Sequence, residues 1–384
     1  MKFGSKVVHG YKQTRNIQSK ATPIYQTSVF SFSSLEELES YYTGESPYLY
    51  SRVGNPNTDE LGQTVAGLEG APSGVAASSG LGAILAGILG IAQAGDHLIA
   101  AKDLYGGTYH LLATELSAFG ISVSFVDFAN KQEIVKAIRK ETKLLFSETV
   151  TNPFLRIENI AHLSTLAKQH ELSLMIDNTF STPYFVQPYK LGADVVVHSA
   201  TKYIGGHSDV TAGVIIGGEQ LMGKVREKVV NLGLNLSPFE AWLASRGVKT
   251  LALRMNQQAR NAERLAQSLR QHNKIKKVYY PDGLSHKGNG AIVTIELVEG
   301  VDMSVFFTSL SWIKIVPSLA GVETTVSYPL GTSHRALPKE AQEELGINER
   351  VVRISVGIEE EEDIVKQFQD ALSHIKMQKG SSKQ

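Results

Sequence analysis

The chain has 384 residues, 38 basic and 38 acidic side chains and no cysteine, and 42% of its residues are apolar. Balanced charge gives no argument for nucleic acid or an anionic membrane as a partner, and the missing thiols exclude disulfides, thiolate metal sites and cysteine nucleophiles. A chain this long buries most of the surface its unfolded form exposes, so a large domain with a smaller one beside it is expected without covalent staples.

The opening "MKFGSKVVHG" has no apolar run of the kind a signal peptide needs, and the chain reads as soluble and cytoplasmic. Residues 1–60 are rich in Ser, Thr, Tyr, Asn and Pro, lack sustained periodicity, and read as an arm that packs on something else. From about Leu61 to Gly218 helix and strand signals alternate. The helical runs are "AILAGILGIAQAG" from Ala83, "GTYHLLATELSAFG" from Gly107, "KQEIVKAIRK" from Lys131 and "IAHLSTLAKQHE" from Ile160. The last repeats apolar residues at Ile160, Leu163, Leu166 and Ala167, one face of a helix. The apolar core of the first, "AILAGILGIA", is too short to cross a bilayer. Between them lie the strand runs "DHLIAA", "ISVSFV", "KLLFSETV", "LSLMIDNTF", "ADVVVHS" and "TAGVIIGG". Such alternation predicts an α/β fold with a mostly parallel sheet covered on both faces, whose sites lie at the carboxyl ends of the strands.

"SPFEAW" at Ser237 predicts a capping box, with Pro238 at the first helical position and Glu240 reaching back. The helix signal continues to Gln271 with a break at Gly247, long enough to bridge two domains. "AIVTIELV", "IKIVPSLA" and "VVRISVGI" read as strands of a smaller α/β domain, closed by a helix from about Glu361. The tail "KMQKGSSKQ" reads as disordered. The expected division is an arm over 1–60, a large domain over 61–245 and a small one over 246–384.

Six stretches carry chemistry. In "VVVHSATKYIGGHSD", an apolar strand delivers Ser199, Thr201 and Lys202 to one spot. A lone lysine is usually a solvated surface group, but two hydroxyls that can hold a phosphate change the reading: a buried lysine there can act as an amine nucleophile. "ASSGLGAI" opens a helix whose free N–H groups suit a phosphate, or simply caps it. Asp177 in "MIDNTF" ends a buried strand, either as a turn cap or as the carboxylate that keeps a pyridine nitrogen protonated. Tyr105 in "DLYGGTY" is a core aromatic or a ring that stacks on a flat cofactor. Tyr50 and Arg52 in "YLYSRVGNPNT" form a phosphate clamp or a surface pair. Arg353, inside the apolar run "VVRISVGI", needs a partner: a substrate carboxylate or an acid such as Glu323. The histidines show no metal-binding spacing, and there is no G-x-S-x-G elbow.

Together and in this order, these stretches and "PIYQTSVF", "ETVTNP", "LASRGVKTLALRM" and "SLAGVETTVSYP" resemble the Cys/Met-metabolism family of pyridoxal phosphate (PLP) enzymes. The resemblance implies the type I PLP-dependent transferase fold, like that of aspartate aminotransferase. It implies Lys202 as the Schiff-base lysine, Asp177 as partner of the pyridine nitrogen and Tyr105 as the stacking ring. It implies Gly80, Leu81, Ser199 and Thr201 as phosphate binders, completed by Tyr50 and Arg52 of a neighbouring subunit. Asn152, Ser318 and Arg353 would hold the substrate α-carboxylate. The assembly would be at least a dimer, and in this family commonly a homotetramer. The expected activity is a C–S lyase of cystathionine or a related thioether amino acid, with γ-replacement on an O-acylated homoserine as the second reading. Gly107, where methionine γ-lyases usually carry cysteine, lowers that activity in rank. Pro317 stands where many relatives have a glutamate, so distal recognition would rest on the pocket around Pro317 and Tyr328. The region from His272 to Leu297 also looks shorter than usual.

Overall fold

The computed structural model describes residues 1–11 and 19–375. The predicted disordered tail, 376–384, lies outside the described residues, as does part of the arm. The chain opens with α1 (Phe3–Val8), α2 (Leu35–Tyr42) and α3 (Pro56–Glu69), then enters β1 (Ser73–Ala77) and α4 (Gly80–Ile91). β2 (His97–Ala101), α5 (Gly106–His110), α6 (Leu116–Ala118), β3 (Ser122–Val126), α7 (Lys131–Ala137), β4 (Thr142–Glu148), α8 (Ile160–Gln169), β5 (Ser173–Asp177), α9 (Thr182–Phe185), β6 (Val195–Ser199) and β7 (Gly213–Gly217) follow. Next come α10 (Glu219–Asn231), α11 (Pro238–Val248), α12 (Leu251–Arg270), β8 (Ile275–Tyr279), β9 (Ile292–Leu297) and α13 (Met303–Ser309). β10 (Lys314–Ile315), β11 (Thr325–Ser327), α14 (Lys339–Leu345), β12 (Val351–Ser355) and α15 (Glu361–His374) complete the chain.

The large sheet runs β1-β7-β6-β5-β4-β2-β3, and only β7 lies antiparallel to its neighbours. Its central strands are buried on both faces, which is why they read as continuous apolar runs rather than alternations. α4 is apolar all round because it sits between the sheet and α10. α8 buries Ile160, Leu163, Leu166 and Ala167, the stripe its spacing predicts. Gly62 and Gly74 let α3 lie directly on β1: a Cβ on Gly62 would come within 2.5 Å of the Gly74 carbonyl oxygen.

The second sheet runs β10-β11-β12-β9-β8, and α12 and α15 pack together beside it. α12 belongs to both cores. Leu251, Met255 and Ala259 pack with the large sheet, while Ala262, Leu265, Ala266 and Leu269 pack with the small one. One continuous helix therefore ties the two cores.

Several elements differ from expectation. β1, β8 and β11 carried too little pattern to be read: β1 is "SGVAA", β8 alternates weakly at an edge, and β11 is three residues long. "IKIVPSLA" is strand only at Lys314–Ile315; Pro317, without an N–H, cannot extend the ladder. Ser237 makes no side-chain cap, so the capping box is not formed, and the helix break lies at Lys249–Thr250 rather than Gly247. The run from Gly107 is interrupted by a π-helical turn, Leu111–Glu115. α3 starts inside the segment read as arm.

Candidate active site

The carboxyl ends of β4, β5 and β6 open on a cavity of about 210 Å³. Pro317, Ser318 and Leu319 line it from the small-sheet side, with Arg353 of β12. It gathers Gly80, Leu81, Tyr105, Asn152, Asp177, Ser199, Thr201, Lys202, Ser318 and Arg353, every predicted site residue except Tyr50 and Arg52. Tyr50 is partly exposed, and the Arg52 guanidinium lies 5.3 Å from its ring centroid, outside this cavity. Tyr328 does not line it either; its ring meets Phe307 edge-on.

Lys202 follows β6 on a tight turn, its N–H donating to the Ser199 carbonyl at 3.1 Å. Its Nζ donates to the Ser318 hydroxyl at 2.7 Å. Burial, and then the charge of Arg353, pulls its pKa down to about 8. The turn is held from beneath by Arg254 of α12, which donates to the carbonyls of Tyr203 and Gly247, both at 2.8 Å. Gly206 has φ +76°, and a Cβ there would strike the Arg254 guanidinium.

Beside the lysine is a phosphate-sized cradle. The Ser79 hydroxyl caps α4 by accepting the Gly82 N–H at 3.0 Å, leaving the Gly80–Leu81 turn at the cavity wall. The N–H groups of a first helical turn have no helical acceptor and favour an anion. A Cβ on Gly80 would fall 2.6 Å from that of Ser199, so glycine keeps the cradle open. The Thr201 hydroxyl accepts the Ala212 N–H at 3.0 Å.

At the other end, Asp177 accepts the Thr179 N–H at 2.9 Å. Burial raises its pKa, and the Thr179 bonds oppose that. Arg353 is 2% exposed. It donates to Asn152 Oδ1 at 3.0 Å and to the Ser318 carbonyl at 3.3 Å, and its Nε has no partner. Among the described residues no carboxylate, Glu323 included, pairs with it. A buried guanidinium with donors to spare beside a cavity is built for a planar carboxylate. Tyr105 is 42% exposed at the cavity mouth. A Cβ on Gly107 would lie 2.5 Å from its ring, so the glycine makes room for that ring.

Three contributors were not read from the sequence. Glu148, at the end of β4, accepts the Tyr105 N–H at 2.8 Å. Buried His334 bonds the Asn152 carbonyl through Nε2 at 3.1 Å and the Ser333 hydroxyl through Nδ1 at 2.9 Å. Behind the sheet, Glu69 Oε1 receives both His198 Nε2 and Asn178 Nδ2 at 2.8 Å. Apart from the Ser333–His334 contact between neighbours, each pairing spans a long stretch of chain, and nothing local announces it.

The sequence profile of the family described as Cys/Met metabolism PLP-dependent enzyme matches residues 4–373. The chain belongs to this family. A cystathionine beta-lyase of Lactococcus lactis subsp. cremoris (strain MG1363) is 39% identical over 96% of this chain and 98% of its own. An L-methionine gamma-lyase of Porphyromonas gingivalis (strain ATCC BAA-308 / W83) is 38% identical over 97% of each. The crystal structure of cystathionine gamma-lyase from Lactobacillus plantarum, complexed with L-serine, superposes with a TM-score of 0.91 at 35% identity, covering 98% of this chain and 99% of that one. This PLP enzyme therefore has the expected type I fold, and its cavity suits the cofactor: an amine of lowered basicity, a carboxylate at a strand end and a glycine-lined hydroxyl cradle. Among the described residues no helix is long and apolar enough to cross a membrane.

Proposed function

We propose that this PLP enzyme is a C–S lyase that eliminates at the β or γ carbon of cystathionine or a related thioether amino acid. The observation that carries the reading is the juxtaposition of the Lys202 amine, bonded to Ser318, with the unfilled donors of Arg353. Lys202, Asp177, Tyr105, Gly80, Leu81, Ser199 and Thr201 would hold the cofactor, which supplies an aldehyde for amines and a ring that takes up electron density from the α-carbon. Arg353, Asn152 and Ser318 hold the substrate carboxylate. That fixes the α-carbon near Lys202, whose Nζ, poised near neutrality, takes the α-proton. The Tyr105 hydroxyl, at the mouth, moves a proton to the departing sulfur. Tyr50 and Arg52 complete the cradle of a neighbouring subunit in a homo-oligomer, taken here as a tetramer. A cysteine-free chain suits the reducing cytoplasm.

The test is keto-acid release from L-cystathionine by the PLP-loaded protein with no second substrate. Pyruvate reports β-cleavage and 2-oxobutyrate γ-cleavage; either supports the lyase. Silence with cystathionine, but turnover of O-acetylhomoserine that requires an added thiol, would replace it with γ-replacement.

A further inference from the structure

Glu148 has no part in the roles assigned above, yet it is 6% exposed and lines the cavity. It ends β4 in direct register with Asp177 on β5. Its Oε1 accepts the Tyr105 N–H, while Oε2 has no partner among the described residues. The nearby cations act on it only through space, with their hydrogen bonds directed to other groups. Arg156 pairs with Asp103 and Glu158, Arg353 turns to Asn152 and Ser318, and Lys202 to Ser318. Two adjacent buried carboxyls with no dedicated counter-charge do not both ionise. Thr179 stabilises the anion of Asp177. Burial and then the charge of Asp177, with Asp103 adding to them, favour the uncharged form of Glu148, against the Tyr105 N–H bond and the charge of Arg156, which favour the anion.

We propose that Glu148 is a positioning residue of the cofactor site, a neutral carboxyl that fixes the Tyr105 backbone through one oxygen and presents a hydrogen-bond donor beside Asp177 through the other. The inference rests on the reading that Tyr105 and Asp177 hold the cofactor. It assigns the strand end two carboxyls with different duties: Asp177 supplies the charge, and Glu148 supplies orientation without a second charge.

Glutamine mimics this state, because its carbonyl accepts the Tyr105 N–H and its amide donates. Aspartate keeps the acid but is one methylene short of Tyr105. The experiment titrates PLP into the apoproteins of wild type, Glu148→Gln, Glu148→Asp and Glu148→Ala, reading affinity by equilibrium dialysis and ring orientation by visible circular dichroism. Glu148→Gln is expected within roughly threefold of wild-type affinity with the dichroic band kept, and Glu148→Asp weaker by about tenfold or more with the band altered. Any order other than glutamine above aspartate overturns the proposal, as does a Glu148→Ala protein that matches wild type. Where the alanine variant does not fold, the glutamine–aspartate order decides alone. Asp177→Asn runs in parallel: if it changes neither affinity nor dichroism, the site reading fails rather than the role of Glu148.

Discussion

Lys202 has to be buried enough to lose its proton near neutrality and free enough to exchange partners. Its single Ser318 bond and its lowered pKa meet both demands. The rate at which the apoprotein captures PLP is therefore expected to rise through pH about 8, where the amine deprotonates, and not above pH 10; stopped-flow absorbance measures it. His334 makes a separate prediction. Burial and Arg353 pull its pKa down to about 4, so it stays neutral in the fold. Above pH ~6.5 both folded and unfolded forms are neutral, and the fold bears no cost. As pH falls toward 4, only the unfolded chain gains the proton, and stability declines by about 3 kcal/mol. Urea unfolding across that range is expected to show a shallower acid decline for His334→Gln than for wild type. The sequence made Lys202, Asp177 and Arg353 legible because each breaks or ends an apolar run. It could not expose Glu148, whose carboxyl sits in a plain "SETV" strand end, or His334, whose partner lies 182 residues away.

The site depends on a few close approaches between elements. α11 touches the Lys202 loop where Gly247 faces Gly205; a Cβ on Gly247 would collide with the Gly205 carbonyl oxygen. Gly247→Ala is expected to destabilise by on the order of 2 kcal/mol, read by urea unfolding, and to weaken PLP binding because the loop must shift. Gly80→Ala closes the cradle against Ser199, so it should cut PLP affinity tenfold or more and, because its Cβ meets that of Ser199, also lower the apoprotein melting temperature. Elements with a strong apolar signal, the periodic stripe of α8 and the continuous apolar runs of β4 to β7, were legible because burial determines them. β1 and β11 were not, since a Gly/Ala strand and a three-residue strand owe their existence to neighbours rather than to pattern.

At the scale of the molecule, one helix, α12, joins the two cores, and β12 sends Arg353 across to the cavity of the large sheet. The two sheets thus jointly build a site that neither holds alone. Alternation of strands and helices foretold the large sheet with a site at its strand ends. The contribution of Arg353 from the small domain, and the assignment of Tyr50 and Arg52 to a neighbouring subunit, came from the family resemblance, and Tyr50 and Arg52 lie outside the cavity of their own chain. If they serve a neighbour, mixing inactive Lys202→Ala with inactive Arg52→Ala subunits should restore a fraction of lyase activity on reassembly, because some sites then receive one intact half from each. The most direct test of the whole account is where the cofactor attaches. Borohydride reduction of the PLP-loaded protein, followed by peptide mapping, is predicted to find the pyridoxyl group on Lys202. A label on another lysine, or none on a protein that still turns over its substrate, would contradict it.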